Sequence, residues 1–244
     1  MSPAPAEVHV WTACAADPSL VEECRRLLSD READRAARFI FERDRTMAVV
    51  SRGLRRMVLG WYAQADPRAL GFIEGAHGKP ALAGAGSAVR FNVSHSGDYA
   101  VLAVGREREV GVDIERVSTD RDLAAIAAHA FSVNEQRALL ELPAGRHAEA
   151  FYRCWTQKEA FIKMVGRGLQ FPLDRFDVEV DPHRPFALLD LREPTPNAMS
   201  CRLTPITTPP GYAGALAVCG QPPTILSFTA DPLTRARPRP RRGG

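Results

Sequence analysis

Six residues in four short segments carry the chemistry that this sequence can offer. In GVDIE, Asp113 and Glu115 stand two apart in a run read as a strand over Val110–Glu115. Strand side chains alternate, so Val110, Val112 and Ile114 point one way while Gly111, Asp113 and Glu115 point the other. Two carboxylates so close repel unless a cation holds them. Hard oxygen donors of this kind suit Mg²⁺, which takes one or two carboxylates and completes its shell with water and substrate phosphate. A solvated strand face would show the same DxE pattern. In FYRCWTQKEAFIKMVGRG, Glu159 and Lys163 lie four apart on one flank of an apolar stripe made by Phe151, Cys154, Trp155, Ile162 and Val165. That pair reads either as a common stabilising surface pair or as a third metal oxygen, or base, beside a phosphate-binding ammonium. In FNVSHSGDYAVLAV, His95 sits between two serines in a turn, where an anion can be met. Lys79 in HGKP is a compact cation suited to phosphate, and equally an ordinary exposed loop lysine.

The elements that must position these groups follow from periodicity and punctuation. A strand is expected at Val8–Trp11, a helix-prone stretch over Ser19–Arg38, and a helix from Arg45 to Trp61 whose arginines 52, 55 and 56 fall largely off the apolar stripe. Strands are expected at Phe72–Glu74, Val89–Val93 and Tyr99–Val104, and GAHGKPALAGAG reads as loop. Helices follow near Leu123–His129, Asn134–Leu140 and Ala148–Val165, the last stopping at Gly166, a C-cap residue able to adopt positive φ. Strands are then expected at Phe176–Val180, Pro185–Leu189 and Tyr212–Val218. YAVLAVG (Tyr99–Gly105) and YAGALAVCG (Tyr212–Gly220) are alike, which is consistent with two related α/β halves or with chance similarity between Ala/Val-rich strands. The division expected is an N-terminal half over 1–107, a C-terminal half over 108–229, and a basic Pro/Arg tail over 230–244. After Ser227 the segment FTADPLTRARPRPRRGG has too little apolar content to pack.

Composition excludes several classes. The 244 residues are 45% hydrophobic and 25% charged, ordinary for a globular chain. The formal charge is +3, but residues 231–244 alone contribute +4, leaving −1 for the rest. The basicity belongs to the tail, which argues against a long polyanionic substrate. Five cysteines, an odd number with no CxxC, indicate neither a disulfide framework nor a zinc site and fit a reducing cytosol. No signal peptide and no apolar run of membrane-spanning length is seen, so a cytoplasmic protein is expected.

Taken in order, GKP, FNVSHS, GVDIE, WTQKEAFIK and GRGL resemble the signature series of the 4′-phosphopantetheinyl transferases of the surfactin-synthetase-activating (Sfp) type. The likeness runs from about Arg35 to Gly168 and more loosely to Val218, and FIFERDR before an Arg-rich helix fits that family's N-terminal half. The resemblance implies an α+β (α/β) fold of two similar α/β halves in pseudo-twofold relation. It implies transfer of the phosphopantetheine arm of coenzyme A to a serine of an apo carrier protein, whether acyl, polyketide or peptidyl, with release of 3′,5′-ADP. By the same resemblance Asp113, Glu115 and Glu159 hold Mg²⁺, for which Mn²⁺ can substitute. Glu159 draws the serine proton, Lys163 contacts phosphate, and Ser94, His95, Lys79 and Arg35 bind the coenzyme, with Arg31 or Arg38 as substitutes for Arg35. Glu74, before GKP, departs from relatives that carry cations there. A monomer is expected, with no nucleic-acid or membrane partner. The competing readings are a Mg²⁺-dependent nuclease or phosphohydrolase, since acidic triplets serve there too, and a silent binding module that uses the basic tail.

Overall fold

The computed structural model describes residues 3–75, 77–84, 88–168, 171–194 and 196–232. They fall into two compact units. The first runs up to Glu74, from Pro80 to Glu107, and from Thr224 onward; the second takes Gly75–Lys79 and Arg108–Pro223. Both contain helices and strands, an α+β architecture.

The first unit contains β1 (Glu7–Cys14), α1 (Pro18–Leu27), α2 (Asp30–Ala37), α3 (Glu42–Ala63), β2 (Phe72–Glu74), β3 (Pro80–Leu82), β4 (Val89–Ser96) and β5 (Tyr99–Arg106). The helix-prone stretch over 19–38 is two helices, because Ser29 and Glu32 form a reciprocal capping box that starts α2 afresh. Arg56, on α3, is buried against Glu32 and also donates to the carbonyls of Pro67, Arg68 and Leu70. That arginine ties α2 and the segment after α3 to the same helix. The run expected to be loop holds β3, which pairs with β2.

The second unit contains β6 (Val110–Arg116), α4 (Leu123–Ala130), α5 (Val133–Glu141), α6 (His147–Val165), β7 (Phe176–Val178), β8 (Leu188–Leu191), α7 (Pro196–Met199), β9 (Cys201–Pro205) and β10 (Tyr212–Cys219). The chain then returns to the first unit as β11 (Thr224–Thr229).

In the first unit the sheet order is β11-β1-β5-β4, with β1 parallel to β11 and antiparallel to β5. In the second it is β6-β10-β9, all antiparallel. The two similar runs thus become β5 and β10, each hydrogen-bonded on both sides and almost wholly buried, which explains their shared small apolar composition. In both units one long helix packs on the sheet, α3 in the first and α6 in the second.

The segment after Ser227 corrects the expectation that nothing there packs. Phe228 is buried and stacks on Trp11 at 4.6 Å, and the Ala230 N–H reaches the Thr12 carbonyl. An edge strand needs few apolar side chains when its neighbour supplies the ladder. Most of the expected basic tail, residues 233–244, lies outside the described residues. Among the described residues no helix is long and apolar enough to cross a membrane.

Candidate active site

The carboxylate face of β6 is the face covered by α6. Gly111 shows why: a Cβ there would stand 2.0 Å from the Ala160 carbonyl oxygen and 2.3 Å from the Met164 nitrogen. Only glycine lets the helix backbone come so near the strand. By alternation Asp113 and Glu115 share that face with Gly111, while Val110, Val112 and Ile114 are fully buried on the other. The helix therefore brings the side chains of its Ala160–Met164 turn onto the carboxylates.

Lys163 Nζ lies 2.6 Å from Asp113 Oδ1, and Asp113 is only 2% exposed. Burial pushes the Glu159 carboxyl above its ordinary range; Lys163 opposes this, and Asp113 and Glu115 add to it. Those last two effects put Asp113 and Glu115 within electrostatic reach of Glu159. α6 ends as expected, at Gly166 with φ 78° and its N–H on the Ile162 carbonyl.

The helix is held in this register from behind. Lys158, wholly buried, gives its ammonium to both Glu135 carboxylate oxygens at 2.6 Å and to the Phe176 carbonyl at 2.8 Å. Glu135 also accepts from the Ser132 and Val178 backbone N–H groups. One residue before Glu159, α6 is thus locked to α5 and β7. Sequence reading missed Glu135 and Lys158, although the S-x-x-E spacing of Ser132 and Glu135 is a capping-box signal.

Lys79 also belongs to this unit. Its ammonium contacts the Glu109 carboxylate at 2.7 Å and the carbonyls of Val110 and Met164 at 3.1 and 3.3 Å. It binds the start of β6 to the end of α6, and a phosphate contact from Lys79 would have to displace Glu109. Three other expected residues lie in the first unit. Arg35 is exposed on α2. Ser94 and His95 are on β4 and not in the turn, which is the two residues between Ser96 and Tyr99. Being adjacent on a strand, they face opposite ways; Ser94 is buried and His95 exposed.

Three hard carboxylates without thiolate or imidazole form a donor set that fits Mg²⁺. The upward push on Glu159 from its two acidic neighbours is the charge crowding that such a cation relieves. Among the described residues no three His, Cys, Asp or Glu side chains are gathered into a ready cage, and Lys163 now bonds Asp113.

Comparison with known proteins agrees with this architecture. The model of the 4′-phosphopantetheinyl transferase superfamily matches residues 109–217, and that of the 4′-phosphopantetheinyl transferase N-terminal region matches residues 10–107. 4′-Phosphopantetheinyl transferase HetI of Nostoc is 34% identical over 185 residues, 75% of this chain and 78% of that protein. Sfp of Bacillus subtilis is 30% identical over 204 residues, 83% of this chain and 86% of its own, and psf-1 of Bacillus pumilus is 33% identical over 83% of each. The chain belongs to the 4′-phosphopantetheinyl transferase superfamily, and it is an enzyme of that class. Its similarity to Sfp and psf-1 along both units places it among the Sfp-type members.

Proposed function

We propose that this chain moves the 4′-phosphopantetheine arm of coenzyme A onto a serine hydroxyl of an apo carrier protein, releasing 3′,5′-ADP, with Asp113, Glu115 and Glu159 as the Mg²⁺ ligands. The observation that carries the reading is the packing of α6 on the Gly111–Asp113–Glu115 face, which sets Glu159 and Lys163 over two strand carboxylates. A divalent cation held there supplies charge against a pyrophosphate and orients it for displacement, a reaction that needs neutralisation and alignment more than covalent help.

The chain's own groups do the rest. Glu159 takes the proton of the incoming serine, directly or through water. Lys163 exchanges Asp113 for a phosphate oxygen. Arg35, Ser94, His95 and Lys79 hold the coenzyme, Lys79 after giving up Glu109. The two halves expected to divide after residue 107, with the strand at 224–229 returned to the first and 75–79 to the second, act as a cytoplasmic monomer that modifies acyl, polyketide or peptidyl carriers, uses Mn²⁺ as a substitute, and needs neither nucleic acid nor membrane. The −1 formal charge left for residues 1–230 supports a compact substrate over a long polyanion.

The test is to incubate the protein with apo carriers of each kind, coenzyme A and Mg²⁺, and to weigh the carrier. One added phosphopantetheine mass, lost with a chelator and restored by Mg²⁺, is expected. No gain on any carrier would overturn the proposal.

A further inference from the structure

Cys201 and Cys219 lie opposite one another across β9 and β10. The hydrogen-bond pattern fixes the kind of pair. The Gly220 N–H bonds the Ser200 carbonyl, so the neighbouring Cys201–Cys219 position is non-hydrogen-bonded in the alternating antiparallel ladder. The groups of Cys219 agree: its N–H goes to the Glu109 carbonyl and its own carbonyl accepts from Arg108, both away from β9. Pro205, which has no N–H, falls four residues along at a position of the same type. Non-hydrogen-bonded partners are the closer kind, with Cα atoms about 4.5 Å apart and side chains on one face. That spacing lies within the range a disulfide spans, about 4.4–6.8 Å.

We propose that Cys201 and Cys219 form a redox-active dithiol that closes into a cross-strand disulfide by exchange with a low-molecular-weight disulfide.

The two thiols are unequal, which sets the order of events. Cys201 is buried, at 5% exposure, whereas Cys219 is partly exposed. Burial pushes the Cys201 thiol up to about 12, and Cys219 beside it adds to the rise. Cys219 has the Ser200 hydroxyl 2.9 Å from its sulfur and the Arg108 guanidinium on its carbonyl. The partly exposed thiol is the one a disulfide meets first, ahead of the buried one.

Cys219 loses its proton to water and attacks one sulfur of the small disulfide. The S–S bond breaks, the first small thiol leaves as thiolate and takes up a proton, and a mixed disulfide remains on Cys219. Cys201 then loses its proton, attacks the Cys219 sulfur and expels the second small thiol, which is protonated in turn. Two protein thiols are oxidised, one small disulfide is reduced to two thiols, and no net proton is released. Closure requires Cys219 to turn away from Ser200.

The full chain is treated with glutathione disulfide and mapped by mass spectrometry after digestion without reductant. The expected result is a Cys201–Cys219 linked peptide, loss of two of the five titratable thiols, and full return of both with dithiothreitol. In Cys201→Ala the adduct stops at glutathionylated Cys219; in Cys219→Ser both the link and the adduct at this site disappear. Wild-type protein that keeps all five thiols under conditions that oxidise a free dithiol overturns the proposal. So does a linkage confined to Cys14, Cys24 or Cys154.

Discussion

At the scale of single residues, the acidic trio and its lysine are asked to do unequal work. Asp113 is nearly inaccessible and paired with Lys163, so replacing it removes a proposed ligand and takes one carboxylate away from the Lys163 ammonium. Asp113→Ala and Glu159→Ala are each expected to lower turnover by at least about two orders of magnitude, the usual cost of losing one electrostatic stabiliser. Carrier mass gain at limiting Mg²⁺ checks this, and a near-wild-type rate in either variant would remove that residue from the proposed metal site. His9 offers a separate prediction about stability. The Tyr62 hydroxyl accepts the Trp11 indole N–H at 3.1 Å and has its own hydrogen for His9 Nδ1 at 2.6 Å, an arrangement for a neutral imidazole. Burial holds His9 below its ordinary value, with Glu7 opposing. The unfolded chain then binds the extra proton first, so His9's contribution is intact above about pH 6.5 and is lost as pH falls through that value. Denaturation of wild type and His9→Gln across pH 5–8 should show the steeper acid-side loss in wild type, by at most about 1.4 kcal/mol per pH unit.

At the scale of elements, one interface decides the site: α6 on β6. Gly111→Ala must force a methyl into the Ala160 carbonyl, against backbone that cannot swing aside as a flexible side chain would. Such overpacking costs about 1–3 kcal/mol or more, and here it also shifts Glu159 and Lys163 relative to Asp113. Stability and turnover should therefore fall together, read by urea denaturation and carrier modification. A variant with wild-type activity would show that the close approach is dispensable. Lys158 acts on the same helix from its other side. Lys158→Met strands the buried Glu135 carboxylate and should cost about 3–5 kcal/mol. Replacing Lys158 and Glu135 together by apolar residues should recover much of that loss, because no lone charge is left inside.

At the scale of the whole molecule, the last strand belongs with the first. β11 runs parallel to β1 and buries Phe228 against Trp11, so the first unit is completed only when residues 224–230 have been added. Ending the chain after Pro232 should leave thermal stability and carrier modification unchanged. Ending it after Pro223 removes the strand and should unfold the first unit. Circular dichroism melting separates the two, and an activity that depended on the basic residues beyond 232 would instead fail in both.

Much was legible in advance. Alternation in GVDIE put Asp113 and Glu115 on one face, helical spacing put Glu159 and Lys163 on one flank, and Gly166 marked the end of their helix, because these are local consequences of backbone geometry. The ordered motifs indicated the family for the same reason: they are runs of adjacent residues. Sequence could not show that the carboxylate face is the one α6 covers, that Lys158 is an interior ion paired with Glu135, or that Lys79 holds Glu109. Nor could it show that Phe228 packs on Trp11, or that the two cysteines at 201 and 219 stand opposite each other. Each of those depends on partners from 18 to more than 200 positions away, brought together by strand register and helix packing. Spacing along the chain specifies which side chains share a face; only the tertiary structure decides what that face meets.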